Sequence, residues 1–203
     1  MKRLIIIGAS GHGKVVADIA KLNGYQDIVF LDNDPEKKSC AGFPVLGPDA
    51  RIGDYEGDVF VAVGNGEIRE KLMEREKNRN FPTLIHPAAV IAGDVVIGKG
   101  SVVMAGAVIN PSARLGKGVI INTASSVDHD CILEDFVHVA VGAHLSGTVV
   151  VGKQTWIGTG ATVSNNVNVC GGCMIGAGAV VTQDITEQGT YVGVPAKRMM
   201  ERG

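Results

Sequence analysis

The sequence predicts two parts: a small parallel α/β domain over residues 1–80 and a parallel β-helix of six-residue repeats over residues 81–203. Three observations carry this. An aliphatic residue recurs at every sixth position from Ile85 to Val181, a mostly small residue follows each by four positions, and the chain opens with a strand, a glycine loop and a helix. A helix repeats near 3.6 residues and a strand near 2, so neither alone gives a strict period of six. Fixed self-similarity of this kind marks a hexapeptide β-helix, in which each hexad is a short strand plus a turn and three hexads close one coil.

At the N-terminus, Lys2–Ile7 reads as a short apolar strand running into Gly8-Ala9-Ser10-Gly11-His12-Gly13-Lys14. Val15, Val16, Ile19, Ala20 and Leu22 then recur at helical spacing, and Asn23-Gly24 ends that helix. A second strand, Ile28–Leu31, ends in Asp32-Asn33-Asp34-Pro35; a third, Val59–Val63, ends in Gly64-Asn65-Gly66, before a charged helix over Glu67–Arg79. Strand, helix, strand with glycines at the strand ends describes a Rossmann-like parallel sheet. The loop Gly8–Gly13 lies at a helix N-terminus, where backbone N–H groups can take a phosphate. Its pattern is GxxGxG rather than the dinucleotide GxGxxG, and eighty residues hold only about half a dinucleotide fold. One nucleotide fits better, with Asp32 or Asp34 available for hydroxyls or base edges. The competing reading is that the glycines merely turn the chain, but a turn has no use for the imidazole of His12.

From Ile85 onward seventeen aliphatic residues stay in phase, through Ile91, Ile97, Val103, Ile109 and onward to Val181. They should point inward with their small partners and make between five and six coils. Each coil is a weak unit stabilised by its neighbours, and flat outer faces invite packing into a closed threefold assembly. Within Val127-Asp128-His129-Asp130-Cys131, Val127 and Cys131 hold the inward positions, so His129 should lie on the outer surface. Flanking carboxylates favour its protonated form and orient its ring, as suits a general base near neutral pH. Gly147 lies eighteen residues on, one coil above, where it clears space beside the ring and leaves a backbone N–H available. His138 lies half a coil away and faces a different side, so the two histidines can share a site only across a subunit boundary. His138 and His144 can equally be read as turn residues, and Trp156 as a packing residue.

The net charge of −2 divides evenly: residues 1–80 hold 12 basic and 13 acidic residues, and residues 81–203 hold 7 and 8. No basic face or aromatic ladder suggests nucleic acid, and no apolar run approaches the ~20 residues of a membrane span. The opening Met1–Ile7 is too short an apolar stretch for a signal peptide, which places the protein in the cytoplasm. Cys170 and Cys173 form a CxxC, but the repeat explains the spacing and no second CxxC completes a zinc site. No metal is expected.

Taken together, the segments IIIGASGHGKVVADIA, FLDND, VAVGNGEIREKL, LIHPAAVI, INTASSVDHDCILEDFVHVAVGAHLSG and GTYVGVPAKRM resemble the sialic-acid O-acetyltransferase-like family of hexapeptide acyltransferases. Within it they are most similar to the bacillosamine-pathway UDP-4-amino-sugar N-acetyltransferases. The resemblance spans essentially the whole chain. It implies a left-handed coil, a homotrimer with intersubunit active sites, acetyl-CoA as co-substrate and a UDP-amino sugar as acceptor. It further implies His129 as general base, Asp130 as its orienting carboxylate (often Glu in the family) and the Gly147 N–H as oxyanion donor. His138 would act from the adjacent chain near acetyl-CoA, with Asn122 lining the same cleft. The cofactor would run past Gly160 and Ala177 to the loop holding Pro195, Lys197 and Arg198. Gly11, His12, Gly13, Asp32, Asn33, Asp34, Gly64, Asn65 and Arg69 would hold the UDP-sugar.

Rival readings keep the chemistry and change the acceptor to GDP-perosamine or a sialic acid hydroxyl. Others change the class: a zinc carbonic anhydrase using His129, His138 and His144, an NAD enzyme, or a nucleotide-sugar-binding protein with no catalysis. The glycine pattern argues against NAD, and the GVPAKR tail favours CoA over zinc.

Overall fold

The structure is a computed structural model and describes residues 2–199. It divides into two compact units with the boundary after His86. Residues 81–86 go with the first unit because Asn23 brackets Ile85: its side-chain amide donates to the Ile85 carbonyl at 2.8 Å and its carbonyl accepts the Ile85 N–H at 2.9 Å.

The first unit is built on β1 (Arg3–Ile7), α1 (Gly11–Leu22), β2 (Asp27–Leu31), the hairpin β3 (Ser39–Cys40) and β4 (Phe43–Pro44), β5 (Asp58–Val61) and α2 (Gly66–Arg75). The sheet is parallel in the order β2-β1-β5, with Ile5 opposite both Val29 and Val59. Leu4, Ile5 and Ile6 are fully buried, as an unbroken apolar run in a central parallel strand requires. α1 buries Val16, Ala17, Ile19 and Ala20 and stops at Asn23. α2 ends at Arg75, four residues before the expected Arg79: the Glu76 N–H returns to the Leu72 carbonyl, and the following residues turn through Lys77 N–H to Glu74 O and Arg79 N–H to Glu76 O. The sequence reading did not anticipate the β3–β4 hairpin or the short 3₁₀ turn Asp49–Asp54. The hairpin's signal was Ala41-Gly42, both at positive φ, the two-residue turn that suits a right-twisted ribbon.

In the second unit, two-residue strands recur every six residues from Val90–Ile91 to Val180–Val181. Each pairs in parallel with the strands eighteen residues away: Ile109 with Val127, Leu115 with Leu133, Ile121 with Val139. Three sheets therefore wall a prism whose interior is the aliphatic column and its small partners, from Val103 and Ala107 to Val181 and Ile185. Ile91 and Ile97, in the first coil, are only half-buried, and Ile85 is 37% exposed. The turns share one device. Every sixth residue from Gly100 to Gly178 has a left-handed φ, between 54° and 72°, whether glycine or not. His138 and His144 are not turn residues: each opens a strand, His138–Val139 and His144–Leu145, on two different sheets. After the last coil, Thr190–Val192 continues one sheet beside Met174–Ile175 and folds back antiparallel onto Lys197–Arg198. Among the described residues no helix is long and apolar enough to cross a membrane.

Candidate active site

The turn after the strand Ser126–Val127 carries His129. Because Val127 and Cys131 are drawn into the core, the residues between them are pushed outward, and the His129 side chain is 57% exposed. Its Nδ1 lies 2.8 Å from Asp130 Oδ2. That hydrogen bond, then the nearby Asp128 charge, raises the imidazole above its ordinary value of 6.5. With Nδ1–H donated to Asp130, Nε2 is left as the basic nitrogen. Gly147 stands directly over it: a Cβ there would sit 2.6 Å from both Cε1 and Nε2 of His129. Its neighbours spend their amides on the coil, Ser146 N–H to Val163 O and Thr148 N–H to His129 O. The Gly147 N–H donates to no group among the described residues. A base and an open amide donor thus sit side by side.

His138 lies on another sheet, in register between Ile120 and Trp156. It is 6% exposed, stacked against the Trp156 ring at 4.3 Å between centroids, and Asn122 Nδ2 approaches its Nε2 at 3.2 Å. Asn122 also accepts the Thr123 N–H, so its amide is held to present nitrogen to the histidine. His144 lies apart from His138 on the sheet that leads to His129, its Nδ1 2.8 Å from Ser126 Oγ one coil below. The structure thus groups Asn122, His138 and Trp156 in one cluster and His129, Asp130 and Gly147 in another.

Gly160 forms an exposed left-handed turn with nothing within 4 Å of where its Cβ would be, and Ala177 is exposed near it in the fold's next coil. Pro195, Lys197 and Arg198 line a hollow of about 340 Å³ with Thr182, Asp184 and Tyr191. Arg198 is tied to the Glu187 carboxylate and the Gln188 carbonyl, while Lys197 is exposed.

In the first unit the glycine loop separates by role. Gly8 and Gly13 are packing glycines: a Cβ on Gly13 would meet Gly8 O at 2.2 Å, and one on Gly8 would meet Ala62 O at 2.8 Å. Gly11, at the start of α1, faces open space. Asp32 ties the end of β2 to this loop by accepting the Ala9 N–H at 2.7 Å, and it also takes the Asp34 N–H and the Lys37 ammonium. Burial pushes its carboxyl up, but these donors outweigh it and the net shift is downward. Asp32, Asn33, Asp34, Lys37, Leu46 and Pro48 line a hollow of about 370 Å³. Asn65 caps α2, accepting the Ile68 N–H at 2.9 Å. Arg69 is 1% exposed and donates to the carbonyls of Val63 and Gly64, both at 2.8 Å, so it shapes the Gly64 loop from beneath. Burial lowers it to about 10. His12 is largely buried; that burial, with the Arg69 charge, pushes it down to about 4. It is a neutral ring at physiological pH.

The sequence reading missed Asn110. Its side chain lies one coil below and donates to Asp128 at 2.7 Å. Only the eighteen-residue offset between the two could have announced it. The four thiols are free, with Cys170 and Cys173 sulfurs 3.5 Å apart. No cluster of three or more His, Cys, Asp or Glu among the described residues could hold a metal ion.

A hexapeptide β-helix with an oriented histidine beneath an open amide has the two parts acyl transfer calls for, a base and an oxyanion donor. Comparison with known proteins narrows this. Residues 3–75 match the family model described as PglD N-terminal domain. The acetyltransferase domain of PglB from Neisseria gonorrhoeae FA1090 is 45% identical and superposes with a TM-score of 0.94, covering 98% of this chain and 100% of that one. It has also been solved in complex with acetyl coenzyme A. A mutant perosamine N-acetyltransferase from Caulobacter crescentus, in complex with CoA and GDP-perosamine, is 33% identical with a TM-score of 0.93 over 99% of this chain and 98% of that one. UDP-N-acetylbacillosamine N-acetyltransferase of Bacillus subtilis (strain 168) is 36% identical over 113 residues, 52% of this chain and 52% of that protein; the match thus spans about half the length of this curated relative. The chain belongs to the family of hexapeptide-repeat sugar acetyltransferases that these proteins represent, with its left-handed parallel β-helix.

Proposed function

We propose that this protein transfers the acetyl group of acetyl-CoA to the 4-amino group of a UDP-linked amino sugar, by direct attack and with His129 as general base. One observation carries the reading: His129 Nδ1 is fixed on Asp130 while Nε2 lies beside the open Gly147 amide. A sugar amine is mostly protonated at neutral pH and must lose a proton before it attacks. That first proton goes to solvent; as the free amine nitrogen bonds to the thioester carbonyl carbon, the neutral His129 Nε2 takes the second. The carbonyl oxygen becomes an oxyanion and rests on the Gly147 N–H, a contact whose loss costs roughly 3–4 kcal/mol. The intermediate then collapses, the C–S bond breaks, and the imidazolium returns a proton to the departing CoA sulfur. The chain needs no serine or cysteine nucleophile for this sequence.

His138 and Asn122 serve the acetyl-CoA side of the site from an adjacent subunit of a homotrimer, because His138 opens a strand on a different sheet from the one that leads to His129. Acetyl-CoA runs past Gly160 and Ala177 toward Pro195, Lys197 and Arg198. The nucleotide sugar is held by the first unit: phosphates at Gly11-His12-Gly13, base or ribose at the hollow of Asp32, Asn33 and Asp34, with Gly64 and Asn65 completing the loop and Arg69 supporting it. The UDP acceptor follows the bacillosamine relative. GDP-perosamine is the second reading, favoured by the full-length likeness to the Caulobacter enzyme.

The test supplies acetyl-CoA with UDP-4-amino sugars, GDP-perosamine or free sialic acid and follows free CoA with a thiol reagent. Release with a UDP-amino sugar, abolished in His129→Ala, is the expected result. Release only with GDP-perosamine or sialic acid replaces the acceptor; release with none favours a binding protein without catalysis.

A further inference from the structure

We propose that Asn110 and Asp128 form a positioning pair for His129: Asn110 locks the Asp128 carboxylate, which fixes the backbone of His129 and places a second negative charge near its ring. This rests on His129 as the base. Asn110 Nδ2 donates to Asp128 Oδ1 at 2.7 Å, and the same oxygen accepts the His129 N–H at 2.8 Å. The coil does not require such a pair. Asn110 and Asp128 occupy equivalent ladder positions eighteen residues apart, donating to Val127 O and Leu145 O. Ser146 and Ser164, the next two residues in that column, make the same ladder bonds to Val163 O and Val181 O with no carboxylate–amide clamp. In this column, among the described residues, the clamp occurs only at the coil that carries the histidine.

Its effect is to leave His129 little freedom. The flanking peptides are already tied to both neighbouring coils, His129 O accepting the Thr148 N–H at 2.9 Å and the Asp130 N–H donating to Pro111 O at 3.1 Å. The ring is tied to Asp130. Asp128 holds the remaining group, the His129 N–H. Fixing an exposed side chain before substrate arrives removes that entropy from the reaction step. Asp128 must also stay ionised, and the Asn110 amide followed by the His129 N–H keeps its carboxyl low. The charged groups acting on His129 are Asp130 and Asp128; the coils above and below face it with Gly147, Thr148, Pro111 and Ser112, none of them charged.

The experiment follows the His129 ring by NMR titration in the full chain and measures kcat and KM in the same proteins, with melting temperature as the check on folding. Asp128→Asn keeps shape and acceptor but removes the charge. It should lower the His129 midpoint by several tenths of a pH unit. Asn110→Ala should lower kcat several-fold with KM for acetyl-CoA unchanged, and combining the two should cost less than the separate losses together. A loss of folding alone would not move the midpoint in a folded Asp128→Asn protein. An unmoved midpoint there overturns the proposal. If His129→Ala keeps full activity, the general-base reading falls, while a lowered midpoint in Asp128→Asn still upholds the pair.

Discussion

The ring of His129 has room to work only because residue 147 carries no side chain. Gly147→Ala would place a Cβ 2.6 Å from Cε1 and Nε2, so the ring must swing away from the amide. A displacement of that order is expected to cost about 100-fold in kcat, with the melting temperature nearly unchanged because the clash falls on an exposed side chain. The pH dependence has a definite sign. The hydrogen bond to Asp130 raises the His129 value, and the proposed base is the neutral ring, so activity should fall as pH drops through that raised value. In Asp130→Asn the acid limb of the pH–rate profile should move to lower pH. His12 behaves oppositely. Its burial, then the Arg69 charge, depresses it from 6.5 to about 4, so the unfolded chain binds the extra proton between those values. Its contribution is full above the ordinary value and is lost as pH falls through the folded one, a change of roughly 3 kcal/mol. Replacing His12 by Gln should flatten the stability–pH curve of denaturant melts over that window.

At the scale of the element, seven turn residues accept a left-handed φ without being glycine: Ser112, Ala124, Asp130, Phe136, Thr148, Gln154 and Asn166. Each bears a backbone cost of about 1 kcal/mol that the ladder must override. Asp130 is the informative one, because the carboxylate bonded to the proposed base stands where the backbone prefers glycine. Asp130→Gly should raise the melting temperature while lowering kcat and shifting the His129 titration downward. In the glycine loop, Gly13→Ala should destabilise the first unit by more than 1 kcal/mol, since the clash is with the Gly8 backbone oxygen, whereas Gly11→Ala, in open space, should leave its stability nearly unchanged. The sequence showed the solenoid because its core is periodic: Ile109, Leu115 and Ile121 announce themselves at a fixed interval. The Val127–Cys131 frame likewise turned His129 outward. Asn110 stayed hidden because its partner is eighteen residues away and becomes a neighbour only once the coil closes. The resemblance puts Arg69 among the UDP-sugar residues; its burial against two loop carbonyls was not legible in the sequence, because arginine is seldom buried.

At the scale of the molecule, the proposed trimer makes catalysis a joint property of two chains. Co-expressed His129→Ala and His138→Ala chains should regain part of the activity that each lacks alone, because some interfaces then pair an intact His129 with an intact His138. Failure to recover any activity in mixed assemblies would place both histidines' work within one chain. The ladder itself sets a rule on how such a chain can change. Every coil shares its ladder hydrogen bonds with the coils directly above and below, whose strands lie eighteen residues away. The gene can therefore lengthen or shorten this protein by whole coils, in quanta of eighteen codons, beyond the last coil that carries chemistry. A loss of one codon between Asn110 and Asp128 would shift everything downstream by one slot and put the Asp128 carboxylate in the inward place of Val127, so inheritance must treat that interval as indivisible.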